Sequence, residues 1–124
     1  MINRARVTVE AFNDCINRQD LHGLSALMTD GHIFVDTAGG KVSGKEACIK
    51  AWASFFSAFP DYRNHFDRIV LVGDKVVVTG RSTCANPKLA GPALWQAKTN
   101  GYHLSEWRVF EDTITNRATL GLHD

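Results

Sequence analysis

Apolar side chains recur at intervals of three and four residues in the first half of the chain and at alternate positions in much of the second half. The first spacing places apolar side chains on one face of a helix, and the second places them on one face of a strand. Because a helical half precedes a strand-rich half, the pattern predicts an α+β fold rather than a regular alternation of strands and helices.

Three helices are predicted in the first half. The first spans about residues 4–17, and the second follows Asp20, whose side chain can cap a helix. Ser43 and Glu46 have the three-residue spacing of a capping box, which predicts the start of a third helix. Pro60 ends that helix because proline has no backbone N–H to continue it.

The remaining elements are predicted as strands, mostly antiparallel. Residues 32–36 form a short strand before a loop at 37–41. Phe66–Val72 and Lys75–Cys84 predict a hairpin, because the Gly73–Asp74 pair between them favours a turn. Further strands are predicted at 94–97, 102–110 and 113–120, and the segment 86–92, with two prolines and a glycine, is predicted to be irregular.

The size and charge of the chain limit its class. A chain of 124 residues fits one domain, spanning residues 1–124. The net charge of +1 is dispersed, so no nucleic acid or membrane partner is expected. No apolar run approaches the ~20 residues that span a bilayer, and the N-terminus lacks the apolar segment of a secretory signal. The three well-separated cysteines favour reduced thiols, and we expect a cytoplasmic protein.

The order of these elements resembles the nuclear-transport-factor-2-like superfamily and, within it, the SnoaL-like polyketide cyclases. The features that carry the resemblance are Gly44 before the third helix, Phe59–Pro60–Asp61 before the long strands, and the closing segment 107–114. The resemblance implies a cone-shaped, curved, mostly antiparallel sheet wrapped around the long third helix, with two further N-terminal helices. It also implies a conical pocket for a small apolar organic ligand, and a homodimer formed through the outer face of the sheet.

Glu106 is the first candidate for chemistry. If residues 102–110 alternate regularly, Tyr102, Leu104, Glu106, Arg108 and Phe110 share one face. Glu106 then either lies on a solvated face, paired with Arg108, or points into an apolar hollow where its pKa would rise and suit proton transfer. In SnoaL-like cyclases and ketosteroid isomerases an acid lies four residues before the phenylalanine of this strand, which is the spacing of Glu106 and Phe110.

Asp36 is the second candidate. The resemblance places it where ketosteroid isomerases carry their proton-shuttling aspartate, and the alternative is a side chain that caps the 37–40 turn. His32 on the same strand is expected at the surface. Two carboxyl groups in one apolar cavity tend to have pKa values pushed apart, so that one acts as base while the other stays protonated. Such a pair suits isomerisation, cyclisation or the addition of water to an epoxide.

The resemblance implies a pocket lined by apolar and hydrogen-bonding side chains. Tyr62 and Tyr102 can donate hydrogen bonds, Arg81 can orient a substrate or pair with a carboxylate, and Trp95, expected in a loop, can cover the pocket mouth or the dimer seam. The predicted substrate-binding set is Tyr102, Arg81, Trp52, Phe55, Phe34, Leu104, Tyr62 and Trp95.

The leading hypothesis is therefore an isomerase, cyclase or hydrolase that uses neither a metal nor an organic cofactor. The alternative is a ligand-binding or protein-interaction domain without turnover. Two departures from the family favour that alternative: Phe12 stands where the isomerases have a tyrosine, and Cys84 stands where cyclases often have a histidine. A transport adaptor, the third hypothesis, would need a contiguous apolar patch on its exterior.

Overall fold

The computed structural model describes residues 3–122 and shows a curved, unclosed six-stranded sheet with four helices, which confirms the α+β prediction. The helices are α1 (Arg4–Arg18), α2 (Leu21–Leu27), α3 (Lys45–Ala58) and α4 (Ile114–Thr119). The strands are β1 (Met28–Val35), β2 (Lys41–Ser43), β3 (Arg63–Val72), β4 (Lys75–Thr83), β5 (Gly91–Asn100) and β6 (His103–Glu111). Within the described residues, no helix has the length and apolar character needed to cross a membrane.

The strand order is β2-β1-β6-β5-β4-β3, so β3 forms one edge of the sheet. β1 and β6 run parallel, and the other neighbouring pairs are antiparallel. The ends of β1 and β6 therefore lie at the same end of the sheet, where β5 begins. This arrangement brings Asp36, Gly91 and Glu111 to a common rim, although they are far apart in sequence.

The inner face of the sheet holds the main core. Trp95 and Trp107 are each 1% exposed and pack, with Val78, in one cluster with Phe12 of α1 and Trp52 of α3. Burial of large aromatic and aliphatic side chains is the dominant stabilising contribution in a domain of this size. The first and third helices therefore cover the concave side of the sheet, as their apolar stripes predict.

The C-terminal segment differs from its prediction. A strand at 113–120 is wrong, because the segment forms α4. The Thr113 side chain accepts a hydrogen bond from the Asn116 N–H at 3.0 Å and so caps the helix. Leu120 and Leu122, which follow the helix, pack in the apolar cluster on the outer face of the sheet. The cap and this tertiary burial override the β propensity of the segment.

The start of α3 also differs from its prediction. Gly44, not Ser43, is the N-cap, and no side chain of the described residues caps the helix, so the proposed capping box with Glu46 is wrong. Ser43 instead ends β2, a strand not predicted. Gly44 has φ of 95°, a value that glycine adopts without steric cost, and its N–H donates to the His32 carbonyl at 2.8 Å.

A bulge interrupts β6. Lys98 pairs with Glu106 and Thr99 pairs with Leu104, so Ser105 is an extra residue without a partner on β5. An extra residue reverses the alternation of side chains on either side of it. Leu104 consequently points into the main core, whereas Glu106 lies on the outer face. The prediction that Leu104 and Glu106 share a face is wrong.

Candidate functional site

A cavity of about 570 Å³ opens at the end of the sheet where β1 and β6 end and β5 begins. This volume lies in the range of small-molecule sites. The cavity lies between α3 and the inner face of the sheet, and the loop before β5 contributes to its mouth. Its apolar wall includes Phe34, Val42, Trp52, Phe55, Leu89, Trp107 and Val109.

Trp52 organises the aromatic part of this wall. Its ring meets the Phe34 ring edge-on at 5.6 Å between centroids and the Phe55 ring edge-on at 5.8 Å. Edge-to-face contacts of this kind fix ring orientation as well as bury area. The structure thus places Phe34, Trp52 and Phe55 in the cavity wall, and their contact with a ligand stays a prediction.

A buried polar group interrupts the apolar wall. The Tyr62 hydroxyl lies 3.0 Å from Ser82 Oγ, and Ser82 Oγ donates a hydrogen bond to Asn64 Oδ1 at 2.8 Å. All three side chains are buried and line the cavity. We call these three residues the Tyr62 cluster. Of its members, only Tyr62 was among the predicted site residues.

Asn17 of α1 holds the cluster from outside. Its side-chain amide donates to the Asn64 carbonyl at 2.9 Å and accepts from the Asn64 N–H at 2.8 Å, as a neighbouring strand would. Because these Asn64 backbone groups point away from β4, Asn64 and Ser82 form a non-hydrogen-bonded pair, in which opposed side chains approach most closely. The pairing explains the short contact between their side chains.

Burial raises the pKa of the Tyr62 hydroxyl. The phenol therefore stays protonated at neutral pH. The buried polar group of the cavity is uncharged, and it suits hydrogen bonding to a neutral ligand oxygen rather than pairing with an ion.

Charged side chains lie at the mouth. Asp36, Lys88 and Glu111 contribute to the lining there, and all three are exposed. Asp36 Oδ1 accepts hydrogen bonds from the N–H groups of Ala38 at 2.9 Å and Gly40 at 2.7 Å. Asp36 therefore caps the 37–40 turn, as the alternative prediction for this residue stated, and it also lines the mouth of the cavity. Its catalytic role stays a prediction.

Glu106 does not reach the cavity. Its neighbours Trp107 and Val109 line the cavity, whereas Glu106 faces the other side of the sheet, next to Lys98 with an Nζ–Oε1 distance of 3.9 Å. Its side chain is 13% exposed. The prediction that Glu106 and Asp36 act together in one hollow is therefore wrong in its geometry, because the bulge at Ser105 turns Glu106 outward.

Four other predicted residues also lie outside the cavity lining. Arg81 is exposed and points away from the face that carries Ser82. Tyr102 is 53% exposed in the turn between β5 and β6. Trp95 is in β5 rather than in a loop, and it is buried in the main core, as is Leu104. None of the four is placed to touch a ligand in this cavity.

His32 is buried, not exposed as predicted. Its Nδ1 donates to the Leu104 carbonyl at 2.8 Å, and its ring packs against the Phe12 ring at 5.7 Å between centroids. Burial lowers the pKa of His32, and the bond to Leu104 and the nearby Glu106 charge oppose this only in part. The folded protein therefore holds His32 as the neutral imidazole.

This burial predicts a loss of stability in acid. An unfolded chain protonates His32 near pH 6.5, whereas the folded chain does not. The contribution of neutral His32 to the free energy of unfolding is therefore fully present above about pH 6.5. It is lost as pH falls towards the folded pKa, by up to about 1.4 kcal/mol per pH unit. Urea unfolding at pH 7.5 and pH 5.0 measures the difference. This difference in the free energy of unfolding should be smaller in His32→Asn than in the wild-type protein. It should be unchanged in the matched control His65→Asn, whose histidine is exposed.

The fold defines the class of protein, an α+β domain with a cavity between α3 and a curved sheet. Comparison of the sequence with family models identifies the family. A family model described as "SnoaL-like domain" matches residues 9–113. The chain therefore belongs to the SnoaL-like domain family, which confirms the resemblance. Comparison with curated proteins gave no match.

Solved structures of similar fold come from several bacteria. A predicted SnoaL-like polyketide cyclase from Shewanella putrefaciens CN-32 is 18% identical with a TM-score of 0.77, covering 99% of this chain and 100% of that one. A hypothetical protein with a ketosteroid isomerase-like fold from Catenulispora acidiphila DSM 44928, in complex with trimethylamine, is 17% identical with a TM-score of 0.74, covering 94% and 93%. An LEH-like epoxide hydrolase of M. tuberculosis is 15% identical with a TM-score of 0.76, covering 88% and 79%. At these identities the likeness establishes the fold alone.

Proposed function

We propose that this SnoaL-like domain binds a small, mainly apolar, uncharged molecule in the cavity, with one oxygen-containing group of the ligand at the Tyr62 cluster. The observation that carries the proposal is the buried cluster of Tyr62, Ser82 and Asn64 within an otherwise largely apolar wall. A few placed polar groups in an apolar cavity are typical of sites that orient a small organic ligand.

The distribution of charge supports a neutral ligand. Asp36, Lys88 and Glu111 lie at the exposed mouth, whereas the Tyr62 cluster carries no formal charge. An ionised group placed against this cluster would lose its hydration without gaining a countercharge, which is strongly unfavourable. The ligand therefore enters with an uncharged end first and keeps any charged group at the rim.

Two of the fold relatives support a small-molecule role. The Catenulispora acidiphila protein was solved in complex with trimethylamine, and the M. tuberculosis protein is an LEH-like epoxide hydrolase. One of these proteins has a small organic molecule bound and the other is named for an activity on one, and our proposal extends a small-molecule role to this cavity.

Acid-base turnover in the same cavity is the second candidate function. It is favoured by Asp36, whose carboxylate reaches the cavity mouth and is held in place by two backbone N–H groups. Asp36 would act as base in an isomerisation, cyclisation or hydration, without help from Glu106. Conversion of cyclohexene oxide to its diol, lost in Asp36→Asn, would favour this candidate over binding alone.

We also propose that the chain is a single cytoplasmic domain that forms a homodimer through the outer face of the sheet. On that face the buried atoms Glu106 Oε2 and Arg108 Nε lack a hydrogen-bond partner among residues 3–122. Such groups are costly unless they are paired, and a second copy would present the opposite charge to each.

Binding of 4-tert-butylcyclohexanol tests the proposed function. Because Trp52 and Trp107 line the cavity, saturable quenching of tryptophan fluorescence should report binding. Tyr62→Phe should weaken the affinity for the alcohol by about 3- to 10-fold, the effect of one hydrogen bond, and leave the affinity for tert-butylcyclohexane within twofold. Tyr102→Phe, the matched change at the exposed tyrosine, should alter neither. The absence of saturable quenching, or equal effects of the two substitutions, would contradict the proposal.

A further inference from the structure

We infer that the Tyr62 cluster selects a ligand that donates a hydrogen bond, an alcohol or a phenol, over one with an ether, carbonyl or epoxide oxygen. The inference rests on the proposed function and names the chemical class of its ligand. It follows from the direction of the hydrogen bonds within the cluster.

The hydroxyl proton of Ser82 is engaged in a hydrogen bond to Asn64. Its Oγ lies 2.8 Å from Asn64 Oδ1, a carbonyl oxygen that can only accept, so Ser82 is the donor in this bond. A serine hydroxyl carries a single proton. In the 3.0 Å contact between Tyr62 and Ser82, Ser82 must therefore accept and Tyr62 must donate.

Tyr62 consequently presents lone pairs, not a proton, to the cavity. Its hydroxyl proton points at Ser82, and burial keeps the phenol from ionising. The remaining hydrogen-bonding capacity of the Tyr62 oxygen is as an acceptor. A ligand hydroxyl can supply the missing donor, whereas a ligand ether or carbonyl would place two acceptors against each other.

The backbone around the Tyr62 cluster holds the Asn64 and Ser82 side chains opposite each other. Asn64 lies directly opposite Ser82 on the neighbouring strand, and Asn17 fixes both backbone groups of Asn64. A site built to accept a hydrogen bond rejects a ligand without the donor, because the lone pairs of its buried oxygen are then left without a donor. The apolar wall formed by Phe34 and Trp52 accommodates the hydrocarbon part of such an alcohol.

A matched ligand pair tests the inference: 4-tert-butylcyclohexanol and its methyl ether, 1-tert-butyl-4-methoxycyclohexane. The ether is the more hydrophobic, so the quantity to compare is the ratio of ether Kd to alcohol Kd in different variants. We expect Tyr62→Phe to lower this ratio by about 3- to 10-fold relative to wild type, because only the alcohol loses a partner. Tyr102→Phe should keep the wild-type ratio.

The Ser82→Ala variant is an independent test that leaves the Tyr62 side chain unchanged. Without Ser82 Oγ, the Tyr62 proton can turn towards the cavity, and we expect the ether to gain affinity relative to the alcohol. An unchanged Kd ratio in this variant argues against the assigned direction of the hydrogen bonds.

The outcomes separate the two proposals. If Tyr62→Phe weakens alcohol and ether equally, Tyr62 is a donor to ligands, and the inference is overturned while the proposed function stands. If Tyr62→Phe affects neither ligand, or if neither ligand binds the wild-type protein, the proposed function fails and the inference fails with it.

Discussion

Replacing Gly80 by alanine is expected to destabilise the fold by about 3 kcal/mol or more, or to prevent folding. Gly80 is buried in β4, and an added Cβ would overlap the carbonyl oxygen of His65 and lie 3.1 Å from Cα of Phe66 on β3. These are backbone atoms, so no side-chain rotation can relieve the overlap. The two strands would have to separate next to Asn64 and Ser82, and urea unfolding measures the cost.

Gly31→Ala is the matched control for this substitution. Gly31 lies in β1, where an added Cβ would meet no atom of the described part of the chain within 4 Å. Its effect on the free energy of unfolding should stay within about 0.5 kcal/mol. Similar destabilisation by the two substitutions would show that close approach of β3 to Gly80 does not limit stability.

Trp107→Ala is expected to cost about 3–5 kcal/mol and to lower the melting temperature by about 10–20 °C. Trp107 is 1% exposed, and its ring packs against Phe12 at 4.8 Å and Phe66 at 6.2 Å between centroids. Its removal takes away the centre of the inner-face core and part of the cavity wall. The variant should therefore also bind 4-tert-butylcyclohexanol more weakly.

Thermal unfolding of Tyr102→Ala supplies the comparison. Tyr102 is also a large aromatic residue near β6, but it is 53% exposed. We expect its truncation to change the free energy of unfolding by about 0.5 kcal/mol or less. A Trp107→Ala variant as stable as Tyr102→Ala would mean that the core is not organised around Trp107.

Local sequence patterns predicted most of the framework. The apolar stripes predicted α1, α2 and α3, and the Gly73–Asp74 turn predicted the hairpin of β3 and β4. The aromatic residues of α3 that line the cavity, Trp52 and Phe55, were predicted from helical spacing and the family resemblance. These features depend on neighbours within a few residues, which is why the sequence alone reveals them.

The error at Glu106 arises from a single extra residue. Regular alternation from Leu104 places Glu106 on the inner face, but the bulge at Ser105 reverses the direction of every side chain beyond it. A short polar serine in a strand carries no local signal of a bulge. The position of the acid could therefore not be read from alternation.

A second bulge explains why the Tyr62 cluster was not predicted. Tyr62 and Asn64 are two residues apart, a spacing that places both on one face at the start of β3. Regular pairing of β3 with β4, counted from the Gly73–Asp74 turn, would however place Thr83 opposite Asn64. The irregularity between Phe66 and Arg68 shifts the register by one residue and brings Ser82 there instead. The cluster depends on this shift, which the sequence does not signal.

The central claim is that a ligand binds in the cavity beside the Tyr62 cluster, on the inner side of the sheet. Intermolecular nuclear Overhauser effects between bound 4-tert-butylcyclohexanol and the protein test it most directly. We expect contacts from the tert-butyl protons to the Trp52 indole and the Val109 methyl groups, which line the cavity. Contacts instead to the methyl groups of Val77 and Leu94, which lie on the outer face, would contradict it.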